Sequence, residues 1–178
     1  MYFGMSDVKA SLERILGEIK SLTLGSYAAF IENIYENIIN EEKKPVDSQS
    51  IDSEKIHIVL NRLNKSSGHS DASFQALVDK TIENEKDGNN ALLLDYFVML
   101  MKIHDDTKAK DEAVNKFVQI VNGYLTLSNG FKRLSFNGSN LSVSISDSRL
   151  AQEIEFDALS SGEQQIVSIF AKLNFSDN

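Results

Sequence analysis

Met5, Val8, Leu12, Ile15, Ile19 and Leu22 recur at alternating spacings of three and four residues. Such a pattern puts all of them on one stripe of a helix, bounded by Ser6-Asp7 at its start and Gly25 at its end. The stripe is close to a heptad seam, so it predicts packing against another helix. Tyr27, Phe30, Ile31, Ile34, Tyr35 and Ile38 predict a second helix from about Tyr27 to Glu42. Glu41-Glu42-Lys43-Lys44-Pro45 ends it, and Val46 to Asp52 reads as a polar linker. A third helix begins at Ser53-Glu54, carries Ile56, Val59, Leu60 and Leu63, and is stopped by Ser66-Ser67-Gly68. A fourth is expected from about Asp71 to Asn84, followed by the loop Lys86-Asp87-Gly88-Asn89. The fifth, Asn90 to His104, is apolar on most sides and reads as the buried centre of the helical part. Asp105-Asp106-Thr107 predicts a break or kink. A sixth helix then runs to about Leu127, with Ala113, Val114, Phe117, Val121 and Tyr124 inward, and Asn129-Gly130 closes it.

The period changes at Phe131. Leu134 and Phe136 alternate with polar residues, and Asn137-Gly138-Ser139-Asn140 offers a hairpin turn. Leu141, Val143 and Ile145 alternate with Ser142, Ser144 and Ser146, the pattern of a half-buried strand. Glu153 to Phe156 reads as a third short strand. A final helical pattern carries Ile166, Ile169, Phe170 and Leu173. The fold class expected is α+β, mainly α: a helical region over 1–128, then a small antiparallel hairpin and one helix over 129–178.

Between the last strand and the last helix stands Leu159-Ser160-Ser161-Gly162-Glu163-Gln164-Gln165. Backbone N–H groups in the first turn of a helix lack intrahelical partners, and with the positive end of the helix dipole they favour an anion. Gly162 has no Cβ, which lets a phosphate approach the backbone closely. The same residues also read as an ordinary N-cap with Glu163 in the first turn.

The stretch resembles the signature motif of ABC-type ATPases, in the LSSGE form of RecF-like, SMC-like and OLD-like members. In that family the motif closes over the γ-phosphate of ATP held by a second subunit. Carried over residue by residue, the resemblance implies that the Ser160 hydroxyl and the Gly162 N–H donate to that phosphate. It implies that Ser161 lies within the same turn, and that Glu163 and Gln164 shape it and face the opposing subunit or nucleotide. The commoner form has glycine where this chain has Ser161 and glutamine where it has Glu163; a glutamate beside a phosphate is repelled unless it points away.

The resemblance covers roughly Phe117 to Leu173, and the first hundred residues would correspond to the helical arm or insertion between the ATPase lobes. A phosphate loop of the GxxxxGK[ST] type is missing from the sequence, as is an apolar strand ending in the Mg²⁺-binding and catalytic carboxylates. The chain therefore reads as a piece of a longer ATPase. ATP would be bound in trans, and Mg²⁺ would belong to the complete enzyme. Its partner would be a second ATPase subunit or the missing lobe of its own chain. DNA repair and phage defence are the settings the resemblance implies, with a nuclease or DNA as a further partner. One helix N-terminus contributes on the order of 0.3–2 kcal/mol to an anion, whereas millimolar affinity needs about 4 kcal/mol. Alone, the chain is expected to bind ATP very weakly and to hydrolyse none.

Composition narrows the rest. The chain has 178 residues, 42% hydrophobic and 25% charged, an ordinary globular balance. It has no cysteine, hence no disulfide framework or thiolate site. A net charge of −8 argues against binding nucleic acid over the whole surface. The most apolar run, Ala91 to Ile103, is shorter than a membrane span and contains Asp95 and Lys102. The reading is a cytoplasmic protein with no membrane partner.

Other candidate chemistry is weaker. Lys132 and Arg133 with Phe131 form a small basic-aromatic group of the kind that touches nucleic acid. His57, His69 and His104 lack metal-like partners at helical spacing. Asp105-Asp106 with Asp111 and Glu112 is either a cation site or a solvated acidic turn. The rival to the ATPase reading is a non-enzymatic helical interaction module whose first seam binds a partner helix.

Overall fold

The structure is a computed structural model, and it describes residues 4–40, 51–63, 91–128 and 130–175. The fold is α+β and mainly α. Helix α1 spans Met5–Asn40, α2 Ser53–Leu63 and α3 Ala91–Ser128. Strands β1 (Lys132–Asn137), β2 (Ser142–Asp147) and β3 (Gln152–Ile154) form one antiparallel sheet in the order β1-β2-β3. A 3₁₀ turn, Phe156–Ala158, leads to helix α4, Ser161–Phe175. The helix expected over about 71–84, the loop at 86–89 and His69 lie outside the described residues.

Two expected boundaries do not exist. Gly25 ends no helix, because α1 runs through it without interruption. Glycine keeps its N–H and C=O, so it weakens a helix interior only by about 0.5–1 kcal/mol. Beyond it, Tyr27 and Phe30 pack against a buried cluster that offsets this. Likewise, Asp105-Asp106-Thr107 does not break α3 into two helices. The Asp105 carboxylate lies 2.8 Å from Lys55 Nζ of α2. The Thr107 hydroxyl donates to the His104 carbonyl at 3.0 Å and accepts from Arg62 at 2.9 Å. Asp105 is thus drawn to Lys55, and Thr107 bonds back to a carbonyl one turn earlier, which a helix tolerates. A third difference is smaller: β3 ends at Ile154, and Phe156 belongs to the 3₁₀ turn.

The chain divides into two compact units. The first comprises Met1–Ile19 and Lys108–Asn178, the second Lys20–Thr107. In the second, Ile56, Val59, Phe97, Leu100 and Ile103 are fully or almost fully buried and form one core. Asp52 caps α2, its carboxylate accepting from the Glu54 and Lys55 N–H groups at 3.1 and 3.3 Å.

In the first unit, the seam residues Met5, Val8, Leu12 and Ile15 are buried in a core shared with α3, the sheet and α4. Phe117 and Phe175 meet there at 4.9 Å between ring centres, tilted by 55°. These four residues of the seam are thus covered within their own unit, whereas Leu22 at its far end is exposed. Pairing of β1 with β2 runs from Lys132↔Asp147 to Asn137↔Ser142. Alternation then turns Leu134, Phe136, Val143 and Ile145 to the core and the serines outward. Gly130, at φ +68°, donates its N–H to the Leu125 carbonyl at 3.0 Å and closes α3.

Candidate functional site

The site is built where the sheet hands the chain to α4. Leu159 is buried and anchors the connection. The next residue, Ser160, is the N-cap of α4. Its Oγ accepts from the Glu163 N–H at 3.4 Å, and its own N–H donates to Glu163 Oε2 at 2.7 Å. This reciprocal pair is a capping box, which a Ser-x-x-Glu spacing favours because each side chain satisfies the other's orphan donor. The side-chain amide of Gln164 donates to the Asp157 and Leu159 carbonyls at 3.2 and 2.9 Å. Gln164 thereby ties the 3₁₀ turn to the first turn of α4.

Glu163 is only 1% exposed. Its carboxylate lies 2.8 Å from Lys132 Nζ, a side chain itself 9% exposed. Lys132 also donates to the Ala158 carbonyl at 3.1 Å. Burial pushes the Glu163 carboxyl up, but the Lys132 ammonium and the Ser160 N–H and hydroxyl outweigh it and hold the group below the usual carboxylate range. Opposite Lys132 in the register stands Asp147, 2% exposed at its side chain and 2.6 Å from Arg149 Nη2. The Arg149 guanidinium, aided by its backbone N–H and by Lys132, takes the Asp147 carboxyl down to about 2. Arg149 also lies 4.8 Å from the centre of the Phe131 ring.

The residues singled out from sequence fall on two sides of this turn. Ser160, Ser161 and Gly162 are exposed, Gln164 is half-buried, and Glu163 is turned inward. A Cβ added at Gly162 would meet nothing within 4 Å. Of the basic-aromatic group, Lys132 faces Glu163 rather than solvent, Arg133 is exposed, and Phe131 is engaged by Arg149. Sequence reading took Lys132 for a surface cation. Its pairing with Glu163, 31 positions away, was signalled only by the inward phase that Lys132 shares with Leu134 and Phe136.

Elsewhere, the outer sheet face carries a shallow polar depression lined by Ser135, Asn137, Asn140, Ser144 and Glu153, among others. Asp105 is paired with Lys55 and His104, and Glu112 lies 3.8 Å from Lys108. Among the described residues, no group of three or more His, Asp or Glu side chains could hold a metal ion. Nor is any helix among them long and apolar enough to cross a membrane. No protein-family model, curated protein or solved structure matches the chain.

Proposed function

We propose that this chain supplies the signature turn of an ABC-type ATPase, closing over the γ-phosphate of ATP held by a second subunit of a cytoplasmic machine. The observation that carries this reading is the orientation of Glu163. It is the only charged residue in Leu159–Gln165, and its carboxylate is turned inward against Lys132. What the turn offers outward is uncharged: two serine hydroxyls and the N–H groups at the start of a 15-residue helix. That arrangement removes the repulsion expected of a glutamate beside a phosphate.

The donor set fits a phosphate. The Ser160 Oγ accepts one weak bond through a lone pair, and its O–H, which lies against the Glu163 carboxylate, turns from it to donate to the phosphate. A Cβ at Gly162 would meet nothing within 4 Å, so a phosphate oxygen finds open space beside the backbone there. Bound ATP supplies the negative charge that these donors neutralise. Ser160 and Gly162 orient the phosphate, Gln164 holds the turn, and Mg²⁺ with its carboxylates belongs to the lobe that holds the nucleotide. DNA repair or phage defence, with a nuclease or DNA as the downstream partner, remains part of this proposal through the resemblance alone. The helical-module reading is not favoured, because Met5, Val8, Leu12 and Ile15 of the seam it needs are already buried in the core of their own unit.

The test is Mg²⁺-ATP-dependent association of the gene product that carries this segment, followed by light scattering. Ser160→Arg should abolish ATP-driven association while leaving the fold intact. Association of Ser160→Arg at wild-type ATP concentrations would sink the ATPase reading.

A further inference from the structure

We propose that Lys132 is the positioning residue of the Ser160–Gly162 turn, keeping the Glu163 carboxylate off the face that meets phosphate. The inference rests on the reading just given. Lys132 bonds the Ala158 carbonyl on one side of the turn and the Glu163 carboxylate on the other, at 3.1 and 2.8 Å. One ammonium therefore closes both ends of the segment that contains Ser160, Ser161 and Gly162.

The place of Lys132 is itself fixed. It stands on β1 directly across from Asp147, on the inward face of the sheet. Asp147 is gripped by Arg149 through bonds of 2.9, 3.1 and 2.6 Å. Glu163 and Asp147 are the acids that face Lys132, and Arg149 stands behind Asp147. A second cation, Lys9, reaches Asp157 at 2.8 Å, but that pair is 36% and 70% exposed, and exposed pairs hold little. The buried contact is the one that sets the turn.

Physical chemistry gives the consequence of losing it. A buried carboxylate without its cation is strongly disfavoured. Glu163 would leave the interior for water, and its exposed chain neighbours are Ser160, Ser161 and Gly162. That movement would release the Ser160 N–H and place a negative charge where the phosphate arrives. Lys132 thus acts through Glu163, without touching the nucleotide.

The experiment again uses the gene product that carries this segment and reads the ATP concentration needed for association. Lys132→Met is expected to raise it about tenfold, and Lys132→Arg to restore it. Adding Glu163→Gln to Lys132→Met should recover association to within about threefold of wild type. Glu163→Gln also relieves the stability lost with an unpaired buried charge, so thermal melts are read on the same variants. A purely structural role ties the ATP requirement to the melting temperature, whereas the charge mechanism raises it in Lys132→Met at temperatures where that variant is fully folded. If Lys132→Met does not fold, Lys132→Gln keeps a donor without the charge and should raise the ATP requirement likewise. A wild-type ATP requirement for Lys132→Met or Lys132→Gln, with Ser160→Arg inactive, overturns the role of Lys132 and leaves the phosphate reading standing. No recovery in the double variant overturns the charge mechanism. Unimpaired association of Ser160→Arg removes the phosphate reading and this inference with it.

Discussion

The side-chain amide of Asn122 brackets the backbone of Leu134: its Oδ1 accepts from the Leu134 N–H and its Nδ2 donates to the Leu134 carbonyl, both at 2.7 Å. Asn122 thus does for one residue of β1 what a neighbouring strand would do. Leu134 is 1% exposed, so water is a poor substitute. Asn122→Ala should lower stability by about 1–3 kcal/mol and speed amide exchange at Leu134. A loss under about 0.5 kcal/mol on urea unfolding would show that the bracket contributes nothing.

Gly25 and Gly162 are expected to part company when each is changed to alanine. Neither has an atom within 4 Å of an added Cβ. Gly25→Ala, inside α1, should raise stability by about 0.5–1 kcal/mol. Gly162→Ala should cost no stability, yet raise the ATP concentration needed for association, because a methyl group then stands in the path of the phosphate. Thermal melts and light scattering on the same two proteins separate folding from function. Equal ATP requirements in both would leave Gly162 no role beyond the fold.

Ser160→Ala distinguishes a cap from a phosphate contact. N-cap losses span about 0.5–2 kcal/mol, and the bond here is 3.4 Å long, so about 0.5 kcal/mol is expected. Glu163, which supplies the shorter half of the capping box and the buried ion pair, should matter far more to stability than Ser160. A loss near 2 kcal/mol for Ser160→Ala would make capping a sufficient reason for the serine.

Acid should loosen the hairpin end and the turn together. The Asp147 carboxyl is held at about 2 by Arg149, and Glu163 is held below its usual range. A depressed carboxyl contributes stability that is present above its unfolded pKa, about 4, and is lost as pH falls through the folded value. Chemical denaturation should therefore show stability declining from about pH 4 toward about pH 2. Asp147→Asn should flatten that decline. An unchanged slope in this variant would separate Asp147 from the acid response.

Alkali should act on the second unit. Burial pushes the Tyr96 hydroxyl up to about 12, with a smaller push from Tyr27. A raised phenol contributes stability that is present below the unfolded pKa, about 10, and is lost as pH rises toward the folded value. Absorbance titration should show a late tyrosine ionisation, and Tyr96→Phe should remove that step. An absorbance titration unchanged by Tyr96→Phe above about pH 11 would contradict it.

Much of this fold was legible because periodicity reports burial. The Met5–Ile19 stripe, the buried face from Val114 to Val121 and the alternation from Leu134 to Ile145 all face inward as their spacing implied. Helix boundaries were less legible. Gly25 and Asp105-Asp106 are local signals, whereas continuity of α1 and α3 depends on distant partners such as Lys55 and the core around Phe97. At the candidate site, the Ser-x-x-Glu cap could be read from four consecutive residues. The direction of Glu163 could not, since Lys132 lies in another element and its charge reads as surface. Asn122 gave no signal at all; an asparagine within a helix looks like a weak helix former until its strand partner is known.

Lys132, across from Asp147 and paired with Glu163, gives the hairpin a way to detect its own misalignment. Sliding β1 by one residue would throw Leu134 and Phe136 onto the serine face and set Arg133 against Asp147. Arg133 would still give Asp147 a cation, but the apolar face and the Lys132–Glu163 pair would fail in the same step, so no neighbouring alignment is a shallow trap. Length changes are therefore best absorbed at the tip, Gly138 to Leu141, where Asn137 already folds the chain back on itself through the Ser139 and Asn140 N–H groups. Homologous chains would be expected to differ most in that tip and to keep the distance from Lys132 to the serine turn.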